Sequence, residues 1–425
     1  MKTVIVGLDG VPFSLVRDLA GKGVMAHTAR LLSGGTFVRL DSSIPEISSV
    51  AWSSVVTGEN PGVHGIFGFT ELAPATYKTR FPNSEDLKAP PFWDRWAGRS
   101  VIINVPASYP ARRMNGVLIS GFVSVDFQKS VYPKALIPAL TALGYRLDVD
   151  ARKAHASMDA FLEDLDLTLE ARIKSYRHLW STQDWQTFML VFTGTDRLMH
   201  FLWDAYEEEG HRYHGRFVEY FRRIDHVIGE IEAQLADEDL LLVHSDHGFE
   251  RLEKDIYVNY VLAESGFLRL DGDRGPGLEG LSEETTAFAL DPGRIYLHRA
   301  GRYPRGRVDR VQAEKLLTQI ADVFLALEVD GRKVIRAAHR KEDIYAGPFL
   351  AQAPDLVLVA SEGFNLRGKA PAEVLAEKSP FTGKHTQDTG FLLVRGPVDG
   401  QVLPPRPAVS DIKAIAESYQ AVVKR

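Results

Sequence analysis

Six side chains of only two types, aspartate and histidine, fall where a parallel sheet would gather them. Asp9 follows a β-branched run at Thr3–Leu8, and Asp196 follows Thr187–Phe192 with His200 four residues on. Asp246 and His247 follow Leu240–His244, and His385 lies in a Gly-rich loop before Gly390–Val394. Open α/β sheets hold ligands beyond the carboxyl ends of their strands, so all six are expected at one sheet edge. Carboxylate oxygen and imidazole nitrogen suit zinc, manganese or iron. Asp196 and His200 share one face of a helix and can reach one ion. Six ligands exceed what one tetrahedral ion needs and match two. Taken singly, each has a plainer role: Asp9 as a turn or cap residue, Asp196 and His200 on a solvated helix face, Asp246-His247-Gly248 as a turn. Their joint placement makes the two-ion site the expectation.

A nucleophile would complete such a site. Ser48 and Ser49 precede a predicted helix that ends near Gly58. A hydroxyl at a helix N-terminus meets free N–H groups and the positive end of the dipole, which favours alkoxide and phosphate. On its own this serine would be an N-cap; beside a metal cluster it becomes a candidate nucleophile.

The positioning elements follow from periodicity. Seven short apolar runs read as buried parallel strands: Thr3–Leu8, Val101–Val105, Val117–Ser120, Thr187–Phe192, Leu240–His244, Asp355–Val359 and Gly390–Val394. They alternate with helical stripes at Met158–Tyr176, Phe217–Leu235 and Val409–Val422, the pattern of a layered α/β sheet. Residues 73–91, rich in Pro, Lys and Arg, are expected to form a loop near the site. Residues 271–341, Gly-rich turns around one helix near Val308–Leu327, read as an inserted cap between core segments 1–270 and 342–425.

Composition bounds the partners. The 425 residues carry a formal net charge of -6, which argues against general attraction to nucleic-acid polymers or anionic membranes. No cysteine is present, so disulfides, thiolate metal sites and cysteine nucleophiles are excluded. The opening MKTVIVGLDG lacks a long apolar region with a cleavage site, and no apolar run approaches membrane-spanning length. A cytoplasmic enzyme is the expectation.

These residues resemble the type I phosphodiesterase/nucleotide pyrophosphatase branch of the alkaline phosphatase superfamily, most of all its bacterial and archaeal phosphohydrolase/phosphomutase members. Gly7-Leu8-Asp9 matches the strand–Gly-x-Asp turn, and residues 48–65, SSVAWSSVVTGENPGVHG, match the nucleophile segment with Ser48 in register. Gly194 to His200, Ser245 to Phe249 and Gly383-Lys384-His385 match the remaining motifs. The resemblance implies an alkaline-phosphatase-like three-layer sandwich, with a mostly parallel central sheet, helices on both faces and a small cap. It further implies that Asp9, Ser48, Asp246 and His247 hold one divalent ion and Asp196, His200 and His385 another. The ions would be zinc, with manganese or iron as alternatives, about 4 Å apart. The implied reaction is phosphoryl transfer through a phosphoseryl intermediate on a small phosphate ester or nucleotide. Two departures bear on substrate class. Phe69 stands where secreted nucleotide pyrophosphatases place a phosphate-contacting Asn, and the Pro that follows the nucleophile in relatives is replaced near Ser49-Val50.

Phe69 and Lys384 are the candidate substrate contacts. Lys384 and Arg197 would hold substrate or make surface ion pairs, and Trp52, Phe67 and Phe69 would stack on a base or pack in the core. Three rivals are weighed. A sulfatase needs an Arg four residues after its modified residue, where Ser48 and Ser49 have Trp52 and Ser53. A phosphomonoesterase or phosphomutase would use the same site. A catalytically inactive binding or regulatory protein would have lost a ligand or the nucleophile, and all seven positions are present.

Overall fold

A computed structural model describes residues 2–396 and 403–422, with the side chains of 420–422 left out. The expected stripe residue Val422 therefore lies outside the described side chains. The chain falls into two compact units: residues 1–59, 83–250 and 381–425 form the first, and 60–82 with 251–380 the second.

The first unit is built on an eight-stranded sheet. Its strands are β1 (Thr3–Leu8), β2 (Thr36–Leu40), β3 (Ser100–Val105), β4 (Gly116–Ser120), β5 (Val131–Tyr132), β6 (Thr187–Phe192), β7 (Leu240–His244) and β8 (Gly390–Arg395). They lie in the order β2-β8-β7-β1-β6-β3-β4-β5. The five adjacent strands from β7 to β4 run parallel. They are buried along their length, which is why they read as unbroken apolar runs.

Alternation sorts each strand's side chains into two layers. Val4, Val6 and Leu8 of β1 join one core, with Phe188, Leu190 and Phe192 of β6; Ile5, Met189 and Val191 join the other. The first core is covered by α1 (Phe13–Gly21), α2 (Ala26–Gly34), α4 (Met158–Thr182), α5 (Gly194–Glu207) and α6 (His214–Glu232). The second is covered by α3 (Ser48–Thr57) and α7 (Ile412–Val422). The result is the expected three-layer sandwich. Phe217, Phe221, Ile224, Ile228 and Ile231 of α6 all point into the first core, as their spacing requires.

Two of the seven runs depart from the parallel reading. Gly390–Val394 belongs to β8, which pairs antiparallel with β7. It pairs antiparallel with β2 as well, and a buried apolar run reads the same whichever way its neighbours point. Asp355–Val359 corresponds to Leu356–Ala360, which lies in the second unit rather than in the central sheet.

That second unit has its own four-stranded antiparallel sheet, ordered Ala287–Leu290, Arg294–Leu297, Leu356–Ala360, Ile335–Arg340. The helix Arg310–Ala326 supplies Ala313, Leu317, Ile320 and Phe324 to its core, and starts at a capping box of Asp309 and Gln312. Ile256, Leu262, Leu358 and Leu366 join the same core, so the unit extends well beyond the 271–341 segment singled out by composition. Residues 73–91 contain the turn and return strand of a hairpin, Glu71–Leu72 with Thr79–Arg80, before the chain re-enters the first unit at Asn83. Among the described residues, no helix is long and apolar enough to cross a membrane.

Candidate metal centre and nucleophile

Three adjacent parallel strands deliver the acidic residues. Asp246, Asp9 and Asp196 follow the carboxyl ends of β7, β1 and β6. Gly10 has φ +75 and lets the chain turn sharply after Asp9, while its N–H donates to Asp246 Oδ1 at 3.1 Å. Gly7, two residues before Asp9, has a different task. A Cβ there would lie 2.2 Å from Trp52 Cη2, so its absence lets the indole of α3 lie against β1. Trp52 Nε1 then donates to Asp9 Oδ2 at 2.9 Å.

One cluster forms around that carboxylate. Ser48, first residue of α3, has its Oγ 3.2 Å from Asp9 Oδ1 and 3.2 Å from His247 Nε2. No side chain caps α3, and the Val50 and Ala51 N–H groups donate to the Ile47 carbonyl. His247 Nε2 stands 3.5 Å from both Asp9 Oδ1 and Asp246 Oδ2. That Asp246 oxygen accepts no hydrogen bond although Asp246 is wholly buried. Burial, and then the neighbouring Asp9 charge, push the Asp246 carboxyl well above its ordinary value. Burial would lower His247, but Asp9 and the charge of Asp196 outweigh it and raise its proton affinity. A field that holds a proton this strongly also favours a cation.

The second cluster is joined to the first. His385 Nε2 lies 2.9 Å from Asp196 Oδ1 and 3.0 Å from His200 Nε2, and His200 Nε2 is 3.4 Å from the same oxygen. The His247 and His385 rings stack with centroids 3.8 Å apart. The other ring nitrogens fix the tautomers. Nδ1 of His200 contacts the Gly383 carbonyl, that of His385 the Glu46 carbonyl and that of His247 the Gly248 carbonyl. A carbonyl only accepts, so each Nδ1 carries a proton, and Nε2 is the nitrogen each ring can offer to a cation. Burial lowers His200 to about 4, which keeps it neutral near pH 7. Two imidazole Nε2 atoms and a carboxylate oxygen thus converge on one point. Burial would raise Asp196, but His200, His385 and Arg197 outweigh it and keep it ionised. The ligand atoms of Asp196, His200 and His385, and those of Asp9, Asp196 and His247, each lie within 4.8 Å of one another. The donor set, carboxylate and imidazole oriented by carbonyls behind it, fits divalent ions at both clusters.

The geometry therefore gathers Asp9, Ser48, Asp196, His200, Asp246, His247 and His385. The remaining expectations fare differently. Lys384 is buried, with its ammonium paired to Glu250 at 3.0 Å, and Arg197 is held by two carboxylates rather than lying in a surface pair. Phe69 is half-buried in the second unit. Trp52 is fully buried on Asp9, so it is no platform for a base. Phe67 is buried edge-on against Tyr345. Sequence reading missed the roles of Trp52 and of Asp148, the second partner of Arg197; the pairing of Gly7 with an aromatic residue of α3 was a usable signal for the first. A further His/Asp group, His27, Asp225 and His226, lies apart. There the Asp225 carboxylate accepts the His27 and Thr28 N–H groups at the start of α2, a capping role.

Sheet, sandwich and gathered carboxylate and imidazole donors give the chain an alkaline-phosphatase-like fold with a candidate metal centre. The sequence profile of the type I phosphodiesterase/nucleotide pyrophosphatase family matches residues 3–388, and the chain belongs to that family. Among solved structures, it resembles phosphonoacetate hydrolase from Sinorhizobium meliloti 1021 in complex with phosphonoformate, with TM-score 0.66, 18% identity, and 99% of this chain and 96% of that one covered. It also resembles an inactive variant of murine ectonucleotide pyrophosphatase/phosphodiesterase 5 in complex with AMP, with TM-score 0.54, 15% identity and coverage of 99% and 95%. No curated protein matches the chain in sequence.

Proposed function

We propose that the chain is a two-metal phosphodiesterase in which Ser48 is the nucleophile. Asp9, Ser48, Asp246 and His247 would hold one divalent ion and Asp196, His200 and His385 the other, zinc being the best fit to this nitrogen-and-oxygen set. The observation that carries the reading is the convergence of His200 Nε2, His385 Nε2 and Asp196 Oδ1, with every Nδ1 proton already engaged by a carbonyl.

When bound, such ions neutralise the attacking and leaving oxygens and lower the proton affinity of a serine hydroxyl. The chain's residues do the rest. Ser48 Oγ is held at the head of α3, where the helix dipole favours both an alkoxide and the phosphoryl oxygens. Its attack forms an Oγ–P bond as the bond from phosphorus to the leaving alcohol breaks. Water then attacks phosphorus, the Oγ–P bond breaks, and the serine is regenerated.

The two basic side chains nearest the site in sequence favour a diester. Arg197 is bound to Asp148 and Asp196, and Lys384 to Glu250. Neither is available to neutralise the second charge that a monoester dianion carries. The AMP and the phosphonates in the related structures support a small phosphorus-containing substrate. The test is hydrolysis of bis-p-nitrophenyl phosphate against p-nitrophenyl phosphate by the zinc-loaded protein, with Ser48→Ala as the blank. The diester should be cleaved faster, and only by the parent; a variant as active as the parent removes Ser48 from the mechanism.

A further inference from the structure

Arg197 touches Asp196 in a way its own helix does not dictate. The two are consecutive on α5, and consecutive helical side chains point away from each other. Yet Arg197 Nη1 donates to Asp196 Oδ2 at 3.0 Å. The contact is imposed from outside the helix. Nη2 donates to Asp148 Oδ2 at 2.9 Å, and the guanidinium carbon sits 4.4 Å from the centre of the Phe122 ring.

Asp148 is itself held in place. Its segment is tied to α4 at two points: buried Asp164 accepts the Asp150 N–H at 2.9 Å and ion-pairs with Arg146 and Lys153, and buried Arg172 donates to the Arg146 and Leu147 carbonyls. Buried Asp164 and Arg172 would be costly without these partners, which ties the segment to α4. The arrangement ends on one oxygen of Asp196. With Oδ2 occupied, the other oxygen is turned toward His385 and His200.

We propose that the Asp148–Arg197 pair is a positioning device that fixes which oxygen of Asp196 faces His200 and His385, and so sets the cation affinity of that cluster. This rests on the reading of the cluster as a metal site. A lone guanidinium beside a cation site would repel the ion; Asp148 cancels that charge and leaves the orientation. Arg197 therefore acts through Asp196 rather than on substrate.

Positioning and simple charge make opposite forecasts. If Arg197 matters only as a charge, Arg197→Met strengthens zinc binding and Asp148→Asn weakens it. If the pair orients Asp196, both variants weaken it, by about 10- to 100-fold, the range seen when the groups that orient metal ligands are removed. The experiment is a zinc titration of chelator-stripped protein against a chromophoric competitor, with total zinc measured per chain. Parent protein should bind two equivalents; Arg197→Met and Asp148→Asn should each weaken one and spare the other. Circular dichroism of the stripped proteins checks folding. Arg197→Lys, which keeps the charge but loses the planar two-pronged donor, carries the test if the methionine variant does not fold: affinity equal to the parent's leaves only a charge, and a weakened site means orientation. Two equivalents bound as tightly by the variants as by the parent overturn the positioning role and leave the metal site standing. Fewer than two equivalents in the parent overturn the metal reading, and this proposal with it.

Discussion

Asp9 is fixed by an arrangement that begins with a missing side chain. Gly7 leaves room for Trp52, and the Trp52 indole holds the Asp9 oxygen that does not face Ser48. Adding one methyl at Gly7 places it 2.2 Å from a buried ring that has nowhere to go. Gly7→Ala should therefore lower stability by about 1–3 kcal/mol, the usual cost of overpacking, as measured by denaturant unfolding, and should reduce diester hydrolysis as well. Trp52→Phe keeps most of the ring and removes only the donor. It should lower the stability of the zinc-loaded protein by roughly 2 kcal/mol, typical for a hydrogen bond to a charged group. Unchanged stability in both variants would mean that the Gly7–Trp52–Asp9 contact is incidental. At this scale the sequence was informative because the gathered residues are few, chemically uniform and set just after strands. What spacing could not convey is which oxygen each carboxylate turns inward. That depends on Trp52 and Arg197, which look like an ordinary core residue and an ordinary surface residue until the chain is folded.

Elements were legible in place and less so in direction. The runs at Thr3–Leu8, Thr187–Phe192 and Leu240–His244 were found to the residue, because a strand buried on both faces is an unbroken apolar stretch bounded by polar residues. The same signal says nothing about which neighbour a strand pairs with, and so Gly390–Val394 and Asp355–Val359 were read as parallel. The second of these opens with Asp355, which is fully buried. It accepts from Leu297 N, Arg299 and Lys341. Burial alone would raise its carboxyl, but the hydrogen bonds and charges of Arg299 and Lys341 outweigh this and hold it below the ordinary value. A carboxyl with a depressed folded-state pKa stabilises fully above its unfolded value of about 3.9 and loses that contribution as pH falls through the folded value. The thermal midpoint should accordingly drop below about pH 4. Asp355→Asn should start lower at neutral pH and fall less steeply on acidification. Parallel curves for the two proteins would remove Asp355 from the acid transition.

Across the whole molecule, composition marked a foreign segment at 271–341, but the second unit also takes in 60–82 and both flanks of that segment. Its core is likewise built from buried Ile, Leu, Val and Phe side chains, so an apolar stretch does not reveal which unit it joins. The gathered site lies wholly in the first unit, and three of its carboxylates are buried within a few ångströms of each other. Bound ions should therefore stabilise the native chain. Free zinc at about a thousand times its dissociation constant adds roughly 4 kcal/mol through mass action alone. Chelation should lower the thermal midpoint and zinc should restore it, whereas an indifferent midpoint would deny the ions any native-state preference.

The proposed convergence of seven side chains on a pair of cations is tested most directly by anomalous diffraction at the zinc edge, from crystals grown with zinc. Two peaks are expected, one within about 2.0–2.2 Å of Asp196, His200 and His385 ligand atoms, the other bounded by Asp9, Ser48, Asp246 and His247. A single peak, or density only at a group such as His27, Asp225 and His226, would contradict it.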